Sequence, residues 1–255
     1  MRGLYNAAGS MLVNQVKLEN ISNNLSNLNT PGYKRSEVVQ RTFPEVLLYR
    51  TEKAGTGRSL ATLSGPIGIA AENIAVEETI VIHQPGSLRL TERPLDIALQ
   101  EPGFFVVDTP AGPAYTRDGH LQVGADGTLL SSQGFPIQGE GGAITLGMGD
   151  VHIDSSGHIY QDGHLLGRIR VVAFGDDDPL WKDGYNLFRS GQDTIPQPLD
   201  VDAIHQGFLE DSNADLGRQM ANLIKVRRCY EAAQKISQVY DRLLSRAAND
   251  LGTLG

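Results

Sequence analysis

The chain has little cysteine and no long apolar run. Cys229 is the single cysteine among 255 residues, which excludes an intrachain disulfide and a metal site built from thiolates. Residues 1–6 are not followed by the apolar core of a secretory signal. Nowhere do about 18 consecutive apolar residues occur that would span a membrane. Composition alone therefore predicts a cytoplasmic protein.

Basic side chains are also in deficit. The 22 lysine and arginine residues are outnumbered by 30 acidic residues, which gives a net charge of −8. Because a general nucleic-acid-binding protein needs a basic surface, this balance argues against that class and favours a solvated acidic surface. Aromatic residues make up only 6% of the chain, whereas 29 glycines and 12 prolines predict many turns and a β-rich middle.

The N-terminal segment carries a heptad repeat. Its spacing predicts a helix over residues 4–28 with a coiled-coil-like apolar stripe. An amphipathic helix packed on its own domain is the alternative. The repeat consists of Leu4, Met11, Leu18 and Leu25, with Ala7, Asn14, Ile21 and Leu28 at the second position.

A polar stretch, residues 23–34, follows this repeat, and we call it the asparagine-rich motif. Asparagine side chains compete with the backbone for hydrogen bonds and weaken a helix, and Pro31-Gly32 ends it in a turn. A polar segment beside an apolar stripe indicates a helix whose flanks face other protein copies. The asparagines expected to bond neighbouring copies are Asn23, Asn24, Asn27 and Asn29.

The middle of the chain changes to a period of two. Between residues 77 and 179, short alternating runs are separated by turns about every 8 to 12 residues, which predicts an all-β domain. We expect residues 114–123 to form a hairpin around Asp118-Gly119, with a further turn at Asp126-Gly127. The preceding polar stretch, residues 51–65, is expected to be a loop or a flexible extension.

The C-terminal segment carries a second heptad repeat. Ser212 and Asp215 resemble a capping box, and no proline or glycine interrupts residues 218–250, so a long helix is predicted there. Cys229 is expected to be a small packing residue. The repeat consists of Leu216, Leu223, Tyr230, Ser237 and Leu244, with Val226, Ala233, Tyr240 and Ala247 at the second position.

Two constellations offer chemistry, and neither is specific. Histidines and aspartates between residues 152 and 164 have ligand-type side chains, but they alternate with apolar residues as an exposed strand face does, so we expect no metal site. An enzyme would need a carboxylate pair or an activated nucleophile in a cleft. Asp96 and Glu101 are the acids near the most apolar β segment, and nothing marks them as a pair. We expect no catalytic residue and no cofactor. The polar residues of the first set are His152, Asp154, His158, Asp162 and His164.

Three motifs resemble those of bacterial flagellar rod and hook proteins, the axial proteins of the hook–basal body, and the likeness is greatest to the distal rod type. The chain departs from the family pattern at Glu92-Arg93, where Gly-Asn is frequent, at Leu121, where an aromatic is frequent, and at Cys229, where alanine is usual. The matching residues are 3–5, 7–11 and 21–34 for the N-terminal signature, 86–88, 94–99, 103–107 and 115–119 for the central β-domain, and 209–215, 220–224 and 228–232 for the C-terminal motif.

The resemblance implies a mixed, mainly β fold. A central all-β domain would be flanked by long N- and C-terminal helices that pair as a coiled-coil-like hairpin. The implied regions are a terminal helical assembly domain (1–34 with 209–255), a connecting region (35–76 with 180–208) and a central β-domain (77–179).

The resemblance also implies a function. The chain would be a structural subunit of the basal-body rod that self-assembles into a hollow helical shaft, transmits torque and encloses the export channel. Its partners would be further copies, other rod and hook proteins and the flagellar export apparatus. It would lie outside the cytoplasmic membrane, without membrane insertion, and be exported without a cleaved signal peptide, which replaces the cytoplasmic prediction.

Assembly contacts, rather than a catalytic centre, are then the expected site. The alternatives are a proximal rod or hook-type axial protein, a secreted cell-wall-acting enzyme and an adhesive protein. An adhesin would not need both terminal repeats. The expected assembly residues are Leu4, Met11, Leu18, Asn23, Asn24, Leu25, Asn27, Asn29, Leu216, Met220, Leu223 and Tyr230.

Overall fold

The computed structural model describes residues 2–42, 45–54, 61–71, 74–175, 178–191, 194–199 and 202–252. The chain divides into two units. The helical unit comprises Met1–Ser22, Glu37–Ile80 and Gly217–Gly255, and the β-rich unit comprises Asn23–Ser36 and Val81–Leu216. This division differs from the three regions expected from the sequence, because strands between residues 180 and 208 join the sheets of the β-rich unit.

Both predicted terminal helices are present. α1 spans Arg2–Ser26 and α2 spans Leu216–Gly252. The N-terminal helix ends before Pro31, as the proline and the asparagines predict. The predicted capping box of Ser212 and Asp215 is wrong. α2 starts immediately after Asp215, so Ser212 lies outside the helix. The Ser212 hydroxyl instead accepts a hydrogen bond from the Ala214 amide at 3.3 Å.

The C-terminal helix has one stripe that is shielded from solvent, which we call the inner stripe. Its members are spaced by three and four residues, the spacing of one helix face. α1 and α2 come together at Gly3 and Tyr240, where the tyrosine ring leaves no room for a Cβ on Gly3. Cys229 lies off the inner stripe and is exposed, so its predicted packing role is wrong within this chain. The inner stripe consists of Gln219, Leu223, Val226, Tyr230, Ala233 and Ser237.

Paired strands complete the helical unit. β1 (Ser36–Thr42) pairs with β4 (Ile74–Val81). β2 (Glu45–Ala54) and β3 (Ala61–Ala71) form an antiparallel ladder that runs from Glu45 opposite Ala71 to Ala54 opposite Ala61. The loop predicted over residues 51–65 is therefore wrong where the structure describes it, because cross-strand backbone hydrogen bonds extend the ladder into this polar segment. Residues 55–60 lie outside the described residues.

The strands of the β-rich unit are β5 (Leu88–Leu90), β6 (Ile97–Leu99), β7 (Phe104–Thr109), β8 (Gly112–Thr116), β9 (Leu121–Val123), β10 (Leu129–Ser131), β11 (Gln138–Gly139), β12 (Gly142–Ala143), β13 (Val151–Ile153), β14 (His158–Gln161), β15 (His164–Arg168), β16 (Val171–Ala173), β17 (Leu180–Lys182), β18 (Leu187–Ser190), β19 (Gln197–Pro198), β20 (Ile204–Gln206) and β21 (Phe208–Glu210). Six of them form an antiparallel sheet in the order β17-β18-β8-β7-β16-β19, and the others form smaller sheets.

Strand β7 lies at the centre of this unit and is covered on both faces. Phe105 and Val107 join the larger aliphatic core, whereas Phe104 and Val106 join a second cluster with Tyr115. This alternation follows from the period of two along a strand. Because both faces are buried, β7 reads in the sequence as a continuous apolar run.

The hairpin predicted for residues 114–123 does not form. β8 pairs with β7 and β18, not with β9, so Asp118-Gly119 is not a hairpin turn. Gly119 lies against the Ile97 carbonyl, where a Cβ would overlap the backbone. The turn at Asp126-Gly127 is confirmed, since it connects the paired strands β9 and β10.

Candidate functional site

The asparagine-rich motif is held by contacts inside the chain. Asn24 is 2% exposed. Its Nδ2 donates to the Ser36 carbonyl at 2.8 Å, and its Oδ1 accepts from the Ser36 amide at 3.0 Å and from the Tyr33 hydroxyl at 3.1 Å. Burial raises the pKa of Tyr33 and so favours the protonated, donating hydroxyl. The amide of Asn24 thus has intrachain partners instead of the neighbouring copy expected from the sequence.

The other three asparagines differ in exposure. Asn27 is half-buried, donates to the Asn23 carbonyl at 2.8 Å and accepts from the Thr30 hydroxyl at 3.1 Å. These bonds shape the end of α1, as asparagine and threonine commonly do at helix ends. Asn23 and Asn29 are exposed. Their side chains therefore remain accessible to another protein copy.

The turn at the end of the motif is fitted tightly to the β-rich unit. Gly32 has φ +64°, and its amide donates to the Glu210 carbonyl at 2.7 Å. A Cβ on Gly32 would overlap the Arg117 carbonyl. Pro31 accepts a hydrogen bond from Asn186 Nδ2 at 2.9 Å. Glycine is required here both for the left-handed backbone and for the close approach.

Three charged side chains meet next to this turn, and we call them the ionic junction: Lys34, Arg117 and Glu210. Lys34 Nζ lies 2.5 Å from Glu210 Oε1, and Arg117 Nε lies 2.5 Å from Glu210 Oε2. All three side chains are 1–2% exposed. Each one comes from a different sequence motif, because Lys34 ends the N-terminal signature, Arg117 lies in the β-domain signature and Glu210 lies in the C-terminal motif.

Backbone groups complete the hydrogen bonding of the ionic junction. Glu210 Oε1 also accepts from the Gly86 amide at 2.7 Å, and Lys34 Nζ donates to the Gln84 carbonyl at 2.8 Å. The Arg117 guanidinium donates to the carbonyls of Gly103 and Leu99 at 2.5 and 2.7 Å. A buried charge is tolerated only when it is paired and hydrogen-bonded, and this arrangement meets both conditions.

The electrostatics follow from this geometry. Burial acts to raise the pKa of the Glu210 carboxyl, but the Arg117 guanidinium and the Lys34 ammonium together outweigh it, so this pKa lies below its ordinary value. Lys182 stands beside the junction, where its Nζ donates to the Lys34 carbonyl at 2.6 Å and lies 4.0 Å from the centre of the Tyr33 ring. Burial lowers the pKa of Lys182 to about 8.

Asn213, which precedes α2, makes hydrogen bonds to residues next to the ionic junction. Its Oδ1 accepts from the Arg35 amide at 2.7 Å, and its Nδ2 donates to the carbonyls of Ile82 and Gln84 at 2.8 and 2.9 Å. Within the β-rich unit, the residues that follow α1 and those that precede α2 are therefore bonded to each other and to residues 82–84. The sequence prediction did not single out Lys34, Arg117, Glu210 or Asn213, although the signal was available as charged and amide residues inside otherwise matching motifs.

The predicted assembly residues on the helices fall into two classes. Leu216 and Met220 are about half exposed, at 50% and 51%. Large exposed aliphatic residues that the prediction missed also lie on α2, among them Ile224. The remaining predicted helix residues are half-buried: Leu4, Met11, Leu18, Leu25, Leu223 and Tyr230.

The histidines and acids considered for metal binding or catalysis make the following contacts. His158 Nδ1 lies 3.2 Å from Asp154 Oδ2, while His152 Nδ1 lies 3.1 Å from Gln206 Oε1. The described ranges contain no group of three or more His, Cys, Asp or Glu side chains placed to hold a metal ion. Asp96 is buried and lies 2.7 Å from His120 Nδ1, whereas Glu101 is exposed, so the two acids are in different environments. Among the residues described, neither helix has the length and apolarity needed to cross a membrane.

Comparisons with protein families match the three motif regions. The description "Flagella basal body rod protein" matches residues 4–34, "Flagellar hook protein FlgE/F/G D1 domain" matches residues 98–161, and "Flagellar basal body rod FlgEFG protein C-terminal" matches residues 205–251. The first and third of these regions contain most of α1 and most of α2, and the second lies within the β-rich unit.

Similar proteins match along nearly their whole length. The chain is 32% identical to the flagellar basal-body rod protein FlgG of Bacillus subtilis (strain 168), with 98% of both chains covered. It is 31% identical to the flagellar basal-body rod protein FlgF of Caulobacter vibrioides, again with 98% of both covered. It is 32% identical to FlgG of Buchnera aphidicola subsp. Acyrthosiphon pisum, over 91% of this chain and 93% of that protein.

Proposed function

Because this chain belongs to the bacterial flagellar hook–basal body axial protein family, we propose that it is a structural subunit of the basal-body rod, of the distal type. Relatives that carry the names FlgG and FlgF support the rod assignment. The distal position is supported by the resemblance of the motifs to distal rod proteins. The subunit joins further copies and other rod and hook proteins in a hollow helical shaft that transmits torque.

The ionic junction supports the proposal that the subunit transmits torque. A shaft subunit must pass force through its β-domain, and this requires that the segments next to the terminal helices be held firmly inside that domain. Within the β-rich unit, the carboxylate of Glu210, which precedes α2, is bonded both to Lys34, which follows α1, and to Arg117. A buried charge network whose members are paired and hydrogen-bonded resists rearrangement, because displacement leaves a buried charge unpaired.

Assembly is proposed to use the terminal helices, paired as a coiled-coil-like hairpin that lines the export channel. The half-buried repeat residues Leu4, Met11, Leu18, Leu25, Leu223 and Tyr230 pack the helices of this inner tube. Asn24 and Asn27 shape the motif within each subunit. The exposed members of the predicted set meet neighbouring copies: Asn23, Asn29, Leu216 and Met220.

The location and the absence of catalysis belong to the same proposal. Rod proteins localise to the flagellar basal body, and we propose that this chain reaches a position outside the cytoplasmic membrane through the flagellar export apparatus, without a cleaved signal peptide. Family membership supports a structural role, not an enzymatic one. Among the described residues of the β-rich unit, no specific contact favours a cell-wall-acting or adhesive function over it.

Electron microscopy of basal bodies tests the assignment. Basal bodies are compared between a strain that lacks this chain and the same strain with the chain restored. We expect rods truncated before the hook, with the inner rod present, and full-length rods after restoration. Truncation nearer the membrane would place the subunit in the proximal rod. An intact rod and hook in the deletion strain would contradict the proposed shaft role.

A further inference from the structure

The last two strands of the β-rich unit pair with the first two strands of that unit. β21 pairs with β5, and β20 pairs with β6. In the part of the chain that the structure describes, each pair is a sheet of two strands, so β5 and β6 have no other partner strand. Residues bonded across these pairs are distant in the sequence, as Gln100 and His205 are, at 105 residues apart. Because a two-stranded sheet is marginal by itself in water, β5 and β6 depend on this late segment.

Backbone hydrogen bonds hold the late segment along its whole length, and we call residues 203–211 the clasp. At its first residue, the Ala203 carbonyl accepts from the Gln100 amide at 3.0 Å. At its last residue, the Asp211 amide donates to the Ser87 carbonyl at 2.8 Å. The bonds therefore continue beyond the two strands of the clasp at both ends.

The clasp also completes the apolar core of the β-rich unit. Ile204 is 2% exposed and belongs to the larger aliphatic core, together with Ile97 of β6 and Phe105 of β7. Leu209 is 5% exposed. Removal of buried aliphatic side chains leaves a cavity, whose cost adds to the lost transfer from water. Without the clasp, the rest of the unit is left with an incomplete core.

The charge of Glu210 makes the unit without its clasp still less favourable. Lys34 and Arg117 both bind this carboxylate, and both side chains are 2% exposed. If the clasp were absent, two buried cations would lose their counter-charge, and removal of one partner from a buried ion pair is strongly destabilising. Lys34 lies 176 residues before Glu210, and the Gly32 amide donates to the Glu210 carbonyl at 2.7 Å. The segment after α1 and the clasp are thus bonded to each other.

We propose that the clasp gates folding, so that the β-rich unit acquires its native structure only when residues 31–36 and the clasp can meet. A chain in which either segment is not yet available stays unfolded in this unit, whichever end emerges first. Closing so long a loop costs chain entropy before the contacts compensate for it, and closure is therefore the slow step. The use of this gate during delivery rests on the proposed rod function: a subunit that travels through a hollow shaft folds its β-rich unit only after the clasp has arrived.

Refolding of a crosslinked full-length chain tests the order of these events. Leu90 lies opposite Phe208, next to the hydrogen bond from the Thr91 amide to the Gly207 carbonyl. The two residues are therefore a non-hydrogen-bonded pair, whose Cα separation of about 4.5 Å a disulfide can bridge. A chain with Leu90→Cys, Phe208→Cys and Cys229→Ser is oxidised while folded, unfolded in urea and refolded by dilution, beside the reduced form of the same protein. We expect the oxidised form to refold at least about tenfold faster, as measured by Trp181 fluorescence, because its clasp is already joined.

A crosslink within a local hairpin is the matched control. Leu165 lies opposite Tyr160 across β14 and β15, and this pair also joins an exposed leucine to a half-buried aromatic residue. Because the crosslink between Tyr160→Cys and Leu165→Cys closes a short loop, we expect it to change the refolding rate less than about twofold. Equal rates for the oxidised and reduced clasp variant, or equal acceleration by the two crosslinks, would overturn the proposal.

Hydrogen exchange in the unmodified full-length protein provides a second test. In rising urea, we expect the amides of Gly207 and Asp211 to exchange within about threefold of those of β7 after correction for intrinsic rates, because opening the clasp unfolds the unit. Clasp amides that exchange at least about tenfold faster, while β7 stays protected, would show that the unit survives with an open clasp. That result would refute the gate and leave the rod function standing, whereas basal bodies without this chain would refute the rod function and leave the gate.

Discussion

Arg117 Nε lies 2.5 Å from Glu210 Oε2, although both side chains are withdrawn from solvent to 2% and 1% exposure. The other oxygen of the same carboxylate binds Lys34 at 2.5 Å. One buried anion therefore neutralises two buried cations that come from segments far apart in the chain. Removal of that anion would leave both cations without a counter-charge in a region of low dielectric constant.

The first prediction concerns Glu210→Gln. We expect this substitution to lower the free energy of unfolding of the β-rich unit by about 3–5 kcal/mol, because it leaves an uncompensated buried charge. Urea denaturation followed by the fluorescence of Trp181, the single tryptophan, measures the change. Asp211→Asn is the control, since its pair with Arg89 is exposed and worth about 0–1 kcal/mol. A Glu210→Gln variant as stable as that control would contradict the role of the junction.

The second prediction concerns the stability of the protein at acidic pH. The pKa of Glu210 is lower in the folded state than its ordinary value of 4.5, so above that value the carboxylate contributes its full stabilisation. As the pH falls below 4.5 towards the folded pKa, the unfolded state takes up the proton first and this stabilisation is lost. We expect the stability of the wild type to fall more steeply over this window than that of Glu210→Gln. Parallel pH profiles for the two proteins in urea denaturation would show that Glu210 does not control the acid response.

The third prediction concerns Gly32→Ala. A left-handed backbone costs a residue with a Cβ about 1–2 kcal/mol, and overlap with the Arg117 carbonyl adds about 1–3 kcal/mol of strain. Gly134→Ala is the matched control, because Gly134 has φ +83° but no heavy atom within 4 Å of a new Cβ. The difference between the two unfolding free energies therefore isolates the close approach. Equal costs would mean that backbone conformation alone requires glycine at position 32.

The fourth prediction separates the asparagines of the motif. Asn24→Ala removes the partner of two buried donors and one carbonyl, so we expect a loss of about 1–3 kcal/mol in unfolding free energy. Asn29→Ala changes an exposed side chain, and we expect a stability within about 0.5 kcal/mol of the wild type. Basal bodies imaged from the Asn29→Ala strain would then report on the proposed contact with a neighbouring copy. A stable Asn24→Ala protein would contradict the intrachain role of this amide.

Much of the architecture was predictable because its signals are local. The heptad spacing of Leu4 to Leu25 and of the C-terminal repeat predicted both helices, and both are present. The apolar run at residues 104–107 is typical of a strand that is buried on both faces, and it forms most of β7. The predicted hairpin failed at strand pairing: Asp118-Gly119 has hairpin chemistry, yet β8 pairs with β7 and β18, because the pairing of a strand depends on which strands are packed beside it.

The two helices, the β-rich middle and membership of the flagellar axial family follow from the sequence, since periodicity and contiguous motifs are properties of neighbouring residues. Which side chains become partners depends on how the chain folds in three dimensions. Lys34 and Glu210 are 176 residues apart and Arg117 and Glu210 are 93 apart, so no local pattern predicts their contact. The same holds for Asn24, because its burial depends on which parts of the folded chain pack against the end of α1.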